Sequence, residues 1–116
     1  MGIDVHDYLV YGRKLPWSNK FHEAYDDDYD TNGNGNTVEV IMDGMSGEYI
    51  VVGPILRMSG NHRYMPDGDD DVFQEINLAD LPALEDEYKR KFCEAFPKFK
   101  EWMDEPFVLL SFTHYS

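Results

Sequence analysis

The sequence predicts a single α+β domain in which an antiparallel sheet of about four strands is backed by one main helix and one short helix. Three observations carry this prediction: four stretches alternate as strands do, one long stretch has helical spacing, and the order reads β, short α, β, β, α, β. That order favours a ferredoxin-like, split βαβ arrangement. A plain antiparallel sheet backed by one helix is the alternative.

The first strand is "DYLVYGRKLPW", which is apolar on both faces and is therefore placed centrally in the sheet. Gly12 indicates a bulge within it, and Pro16 ends its pairing. The next stretch, "SNKFHEAY", predicts a short helix with Ser18 as its N-cap. An acidic loop rich in Asn and Gly follows.

The middle of the chain predicts a β-hairpin. "TVEVIMDG" and "YIVVGPILRM" both have strand character, and "DGMSGEY" between them supplies the turn. We expect the returning strand to bend where Gly53-Pro54 interrupts it. The polar stretch "SGNHRYMPDGDDD" then predicts a long loop.

The main helix is predicted to begin after Asp80, its candidate N-cap, with Pro82 in its first turn. Three i,i+4 pairs have the favoured orientation: Glu85–Lys89, Asp86–Arg90 and Glu87–Lys91. The predicted buried stripe is Leu81, Leu84, Tyr88, Phe92 and Phe96. "PKFKEWMD" predicts a short helical piece, and "FVLLSFTHY" predicts the final strand.

Length and composition favour one domain spanning residues 1–116. The 116 residues are 42% hydrophobic, enough for one core but not for two. The apolar runs are far shorter than a membrane span, and the N-terminal stretch lacks a secretory signal pattern. A lone cysteine, Cys93, rules out an internal disulfide and suits a reducing compartment, so a cytoplasmic location is predicted.

Charge is the most informative property of the whole sequence. The chain carries 23 acidic residues against 10 Lys and Arg, a net charge of −13. This charge argues against direct binding of nucleic acid or an anionic membrane and favours a basic protein partner, including one that itself binds nucleic acid. The predicted partner-binding residues lie in two acidic loops: Asp26, Asp27, Asp28 and Asp30 in the first, and Asp67, Asp69, Asp70 and Asp71 in the second. Simple solubility is the alternative explanation.

The stretch "DYDTNGNGNTVE" matches the twelve-residue calcium loop of EF-hands. Its candidate ligands are Asp28, Asp30, Asn32, the carbonyl of Asn34, and Glu39. Its surroundings match poorly, because Gly35 replaces the apolar pairing residue, a strand replaces the exit helix, and no second loop fits the pattern. A calcium-binding loop without helices is therefore kept as an alternative to an acidic turn, and no other cofactor is predicted.

The sequence contains no catalytic motif, so no catalytic residues are predicted. "FHEAYD" lacks the second histidine of a zinc protease, and no phosphate-binding glycine loop or Cys/His metal spacing is present. Cys93 lies within the main helix and is predicted to be structural. An uncharacterised enzyme would require a concave pocket holding His114 or Cys93 beside a titratable partner.

Three stretches, "DYLVYGRKLP", "DGMSGEYIVVGPIL" and "FTHYS", resemble small acidic proteins of unassigned function encoded by tailed bacteriophages. The resemblance covers about half of the chain and transfers no site residues. It implies a location in the infected bacterial cytoplasm and a role in binding a host protein. Together with the charge, it predicts an inhibitor of a host defence or nucleic-acid enzyme that acts through its acidic loops, leaving the oligomeric state open.

Overall fold

The computed structural model describes residues 5–32, 38–59 and 75–115, except for the side chains of 29–32. The strands and α-helices are β1 (Val5–Pro16), α1 (Asn19–Asn32), β2 (Val40–Met42), β3 (Tyr49–Val52), β4 (Ile55–Ser59), α2 (Leu81–Ala95) and β5 (Val108–Tyr115). Two 3-10 segments, Leu78–Asp80 and Pro97–Met103, flank α2. The predicted α+β class is confirmed.

Strand β1 is the centre of the sheet, as its two apolar faces predicted. One edge of β1 pairs antiparallel with β5. Residues Val5 to Gly12 of β1 pair with the whole length of β5. The other edge pairs antiparallel first with β4 and then with β3, and β2 pairs with β3. Counting β3 and β4 as one interrupted strand gives the order β2, β3/β4, β1, β5, which is the split βαβ order.

The interruption is a sharp bend at which two glycines meet. A Cβ on Gly12 would lie 1.8 Å from the carbonyl oxygen of Val52, and a Cβ on Gly53 would lie 2.3 Å from that of Tyr11. Gly53 also has φ of +137°, which L-residues rarely adopt. The bend predicted at Gly53-Pro54 is confirmed. The bulge was predicted at Gly12, whereas the register shift that the structure shows in β1 lies between Leu9 and Val10.

The bend folds the sheet back on itself. Tyr49 of β3 pairs with Pro16 of β1, and His114 of β5 pairs with His6 of β1, ten residues earlier in that strand. In a straight strand, ten residues span roughly 33 Å. The side chains of Tyr49 and His114 nevertheless make a hydrogen bond of 2.7 Å. We call β2, β3 and residues 13–16 of β1 the hairpin half of the sheet, and β4, β5 and residues 5–12 of β1 the β5 half.

Helices α1 and α2 cover the convex side of this bent sheet. Phe21 of α1 and Phe92 of α2 are fully buried, with their rings stacked 5.9 Å apart and inclined by 9°. They pack with Leu15, Ile50 and Val52 of the sheet. Further aromatic residues complete this core: Tyr88, Phe96, Phe99, Trp102 and Phe107. It is the larger of the two cores in the described part of the chain.

The concave side holds a smaller core between the two halves of the sheet. Val10, Ile41 and Val51 are buried there. Partly buried residues from both halves pack around them: Tyr8, Tyr49, Ile55, Leu110 and Phe112. No described residue of α1 or α2 belongs to this cluster. The concave core therefore depends on the bend, because only the bend brings the two halves together.

Two details of α2 differ from the sequence prediction. Asp80 stands at the N-cap, but its side chain makes no capping hydrogen bond, and Asn77 instead caps the preceding 3-10 turn through the amide of Ala79. Of the predicted pairs, Glu85–Lys89 and Glu87–Lys91 form, at 2.6 Å and 3.0 Å. Arg90 pairs forward with Glu94, at 3.2 Å, rather than back with Asp86.

Glu85 ties α2 to the sheet. Its Oε1 accepts a hydrogen bond of 2.8 Å from the Tyr11 hydroxyl, and its Oε2 accepts from the Lys89 ammonium and the Phe107 amide. Burial opposes ionisation of Glu85, but these hydrogen bonds and the charge of Lys89 together lower its pKa. The Glu85 carboxylate thus links β1, α2 and the segment that enters β5.

Candidate functional site

Helix α1 carries the first group of predicted partner-binding residues. It begins as the sequence predicted, because the Ser18 hydroxyl accepts a 3.1 Å hydrogen bond from the Phe21 amide. Phe21, Ala24 and Tyr25 pack towards the convex core. Glu23, Asp26, Asp27 and Asp30 follow the spacing i, i+3, i+4, i+7 and so occupy one face of the helix. We call these four residues the acidic face of α1.

The prediction that Asp26, Asp27, Asp28 and Asp30 lie in a loop is wrong, because α1 continues to Asn32. Asp26 and Asp27 are exposed on the helix, whereas Asp28 is half-buried. The helix extends past Tyr25 although its last two turns are rich in acids, whose repulsion disfavours a helix at this end. The second predicted group, Asp67, Asp69, Asp70 and Asp71, lies outside the described residues.

The same helix changes the geometry of the predicted calcium loop. Asp28, Asp30 and Asn32 lie in α1 rather than in a loop, and Asn34 lies outside the described residues. The Oε2 of Glu39 accepts a 2.8 Å hydrogen bond from the Ile55 amide. Among the described residues, no group of three or more His, Cys, Asp or Glu is placed to hold a metal ion. Calcium binding stays a prediction, with no observation in its favour.

The end of α1 concentrates negative charge. A helix presents a partial negative charge at its C-terminus, so acids there are unfavourable by about 0.3–1 kcal/mol each. The last turn of α1 contains no basic residue. Within the described side chains, the acidic face makes one ion-pair contact, 3.8 Å between His22 and Asp26. The acids of this face therefore repel one another, and Asp30, which is in the last turn, also lies at the negative end of the helix dipole.

The concave side contains a buried polar pair that the sequence did not identify. The Tyr49 hydroxyl and the Nδ1 of His114 are 2.7 Å apart, and His114 is only 6% exposed. The Tyr8 ring meets the His114 ring edge-on at 6.0 Å. His6, which pairs with His114 across the strands, contacts the carbonyl of Ser59 through Nδ1. The sequence indicated an irregularity at Gly12 and a bend at Gly53-Pro54. It did not indicate that these two points meet and bring side chains of β3 close to those of β5.

Burial keeps this pair neutral. It lowers the pKa of His114, while Asp43 opposes and His6 adds to that shift. Burial also raises the pKa of Tyr49, as do Asp43, Glu48 and Tyr8. When the neutral imidazole carries its proton on Nε2, the Tyr49 hydroxyl donates to Nδ1. A tyrosine whose pKa is raised is a poor nucleophile, so the pair is suited to joining the two halves of the sheet.

A cleft of about 260 Å³ opens beside this pair. Lys14, Tyr49 and Val51 line it from the hairpin half, and Leu110, Phe112 and Thr113 line it from β5. His114 is paired and buried behind Tyr49, without lining the cleft itself. An enzyme would require a pocket that holds His114 or Cys93 beside a titratable partner. In this cleft, Tyr49 is the member of the Tyr49–His114 pair that belongs to the lining.

The remaining residues singled out in the sequence have packing roles. Cys93 is partly buried against the convex core. Trp17 and Trp102 pack against the same core, and the Trp102 carbonyl accepts a 2.7 Å hydrogen bond from Arg13. These contacts fit the prediction that Cys93 is structural, and they give both tryptophans a packing role.

Comparisons with known proteins give the chain no relative: no family model, no curated protein and no solved structure matches it. Among the described helices, none is long and apolar enough to cross a membrane.

Proposed function

We propose that this protein binds a basic protein partner through the acidic face of α1 and inhibits it. The observation that carries the proposal is the placement of Glu23, Asp26, Asp27 and Asp30 on one face of α1. The proposed partner is a bacterial host protein of defence or nucleic-acid metabolism, acting in the cytoplasm. The resemblance to acidic phage proteins supports that setting.

The acidic face is costly for the protein alone. Like charges three or four residues apart destabilise a helix by about 0.2–0.5 kcal/mol per pair, and the helix dipole adds to this at Asp30 in the last turn. A local rule broken without a compensating contact often marks a functional surface. A basic groove would supply the missing compensation, because cations there would pair with Asp26 and Asp27, which are exposed.

The spacing of the acids suits a groove built for phosphates. Residues 23 to 30 span about 10.5 Å of helix axis at 1.5 Å per residue. One strand of B-DNA carries one phosphate per 3.4 Å of axis, which is about three phosphates over the same length. Four carboxylates over that distance give a similar linear charge density. The acidic face would therefore compete with a nucleic-acid strand for the same basic groove.

Capture from bacterial lysate, followed by binding measurements on the purified partner, tests the proposal. The variant is Glu23→Gln with Asp26→Asn and Asp27→Asn. We expect this variant to bind at least tenfold more weakly while its thermal midpoint rises, because the same charges that serve binding destabilise α1. We also expect the wild-type protein to displace DNA or RNA from the partner, with an affinity that falls as salt rises.

The matched control removes the same number of charges elsewhere: Glu75→Gln, Glu101→Gln and Glu105→Gln, all at exposed positions. If this control weakens binding as much as the α1 variant, net charge rather than the acidic face is responsible. The proposal fails in that case, and it also fails if no salt-sensitive partner is captured. The contribution of Asp67, Asp69, Asp70 and Asp71 is tested by the same design with four Asp→Asn changes.

A further inference from the structure

The cleft between the two halves of the sheet has apolar walls. Val51 from β3 and Leu110 and Phe112 from β5 line it, together with the ring of Tyr49. The hydrogen bond from Tyr49 to His114 fixes that ring in place. An apolar cavity of about 150 Å³ accommodates benzene. A cleft of about 260 Å³ therefore has room for one substituted aromatic ring.

The cleft also has a positively charged residue in its lining. Lys14 lines it, with Nζ 5.7 Å from the centre of the Tyr49 ring. Within the described residues, no acid lies within ion-pair distance of Lys14. Lys14 therefore brings to the cleft a positive charge that no described carboxylate contacts, in a chain with 23 acidic residues and 10 Lys and Arg.

A second cavity provides the contrast. It measures about 280 Å³ and lies between α2 and the chain around β2, lined in part by Tyr88, Glu87 and Lys91. There the lysine is already paired, because Lys91 Nζ lies 3.0 Å from Glu87. The lysine of the second cavity is thus already in an ion pair, whereas Lys14 in the cleft can contact an anion.

We propose that the cleft binds a small aromatic carboxylate, with the carboxylate on Lys14 and the ring between Phe112, Leu110 and Val51. An apolar enclosure with one charged group to fix orientation is the usual composition of a small-molecule site. This site is separate from the acidic face of α1 and does not depend on the proposed partner. The net negative charge of the protein repels anions at long range. Within the cleft, the positive charge of Lys14 favours an anionic ligand over a neutral or cationic one.

Titrations followed by amide NMR spectra test the proposal with three probes of one ring: benzoate, benzyl alcohol and benzylamine. We expect benzoate to shift the amide signals of Val51, Leu110 and Phe112 and to bind about threefold more tightly than benzyl alcohol, with benzylamine weakest. In Lys14→Gln, the preference for benzoate is lost while the affinity for benzyl alcohol is unchanged. Lys20→Gln, which removes an exposed lysine of α1, keeps the preference.

Three results would overturn the proposal. The first is equal binding of benzoate and benzyl alcohol by the wild-type protein. The second is a preference for benzoate that survives Lys14→Gln. The third is the absence of shifts at the cleft residues at millimolar probe. The dispersion of the Lys14→Gln spectrum verifies that this variant is folded, which is expected because Lys14 is exposed.

Discussion

The convex and concave sides of the sheet both hold polar groups that are at least partly buried, but in different states. On the convex side, Glu85 stays charged because Lys89, Tyr11 and the Phe107 amide all bond to it. On the concave side, Tyr49 and His114 are both held neutral. A charge can be buried where a cation and donors surround it, whereas two half-sheets closing on each other retain a neutral pair.

The sides also differ in what closes them. The two helices and the segment between α2 and β5 supply most of the aromatic residues of the convex core, whereas the concave core consists of residues from the sheet alone. We therefore expect the convex side to carry most of the stability and the concave side to be the more easily perturbed. Five predictions follow this difference, from the largest expected effect to the smallest.

Phe92→Ala should be the most damaging change on the convex side. Phe92 is fully buried and its ring lies against those of Phe21, Phe96 and Trp102, so the cavity should cost about 3–5 kcal/mol. Val10→Ala removes fewer atoms from the concave core and should cost about 1–2 kcal/mol. Urea unfolding of both variants measures the contrast, and equal losses would contradict the assignment of stability to the convex side.

Gly12→Ala tests the bend. The added methyl would meet the Val52 carbonyl at 1.8 Å, and main chain on both sides cannot move away cheaply. We expect a loss of about 3 kcal/mol or more in the free energy of unfolding. Gly44→Ala is the control, because a Cβ there meets no atom within 4 Å. A Gly12→Ala protein as stable as wild type would mean that the two backbones do not approach closely.

Glu85→Gln should destabilise by about 2 kcal/mol at neutral pH, because Lys89 loses its charged partner. The pKa of Glu85 is lowered in the folded state, so its contribution is present above the unfolded value, near 4.5, and is lost as pH falls through the folded value. The wild-type protein should therefore lose more stability than the variant below about pH 4.5. Unfolding curves from pH 7 to pH 3 measure this, with Glu87→Gln as the exposed control.

Tyr49→Phe should cost about 1–2 kcal/mol, because it leaves the buried Nδ1 of His114 without a donor. The pKa of His114 is lowered in the folded state, so the native protein favours the neutral imidazole. Stability from this group is complete above the unfolded value of about 6.5 and declines as pH falls towards the folded value. His114→Gln should remove that decline, and a variant with the wild-type slope between pH 8 and pH 5 would refute it.

Calcium should have the smallest effect. With Asp28, Asp30 and Asn32 in α1 and Glu39 bonded to the Ile55 amide, we expect no change in thermal midpoint between millimolar calcium and a chelator. A rise in midpoint would restore the calcium-loop prediction. Magnesium at the same concentration separates a specific site from general screening.

Much of the fold could be predicted because local patterns decide it. The strands, the hairpin and α2 follow from the spacing of apolar residues, and Ser18 caps α1 as expected. The length of α1 could not be predicted from its last two turns, because their acids and asparagine disfavour a helix. Packing of Phe21, Ala24 and Tyr25 on the convex core anchors the helix in spite of them.

The candidate sites, like the fold, could be predicted only in part from the sequence. The negative charge and the acids of residues 23 to 30 are properties of the sequence, but their alignment on one face appears only once the segment is helical. The cleft could not be found in the sequence, because Lys14, Tyr49 and Phe112 belong to three strands that the bend brings together.

The sequence by itself determined the α+β class, the order of the elements, the acidic surface and the places where the chain can bend. Each of these depends on composition or on neighbours a few residues apart. Only the tertiary structure decided that Gly12 meets Gly53, that Tyr49 reaches His114, and that a cleft lies between the halves. Those contacts join residues about 40 to 100 positions apart, and their free energy exists only when the whole sheet has closed.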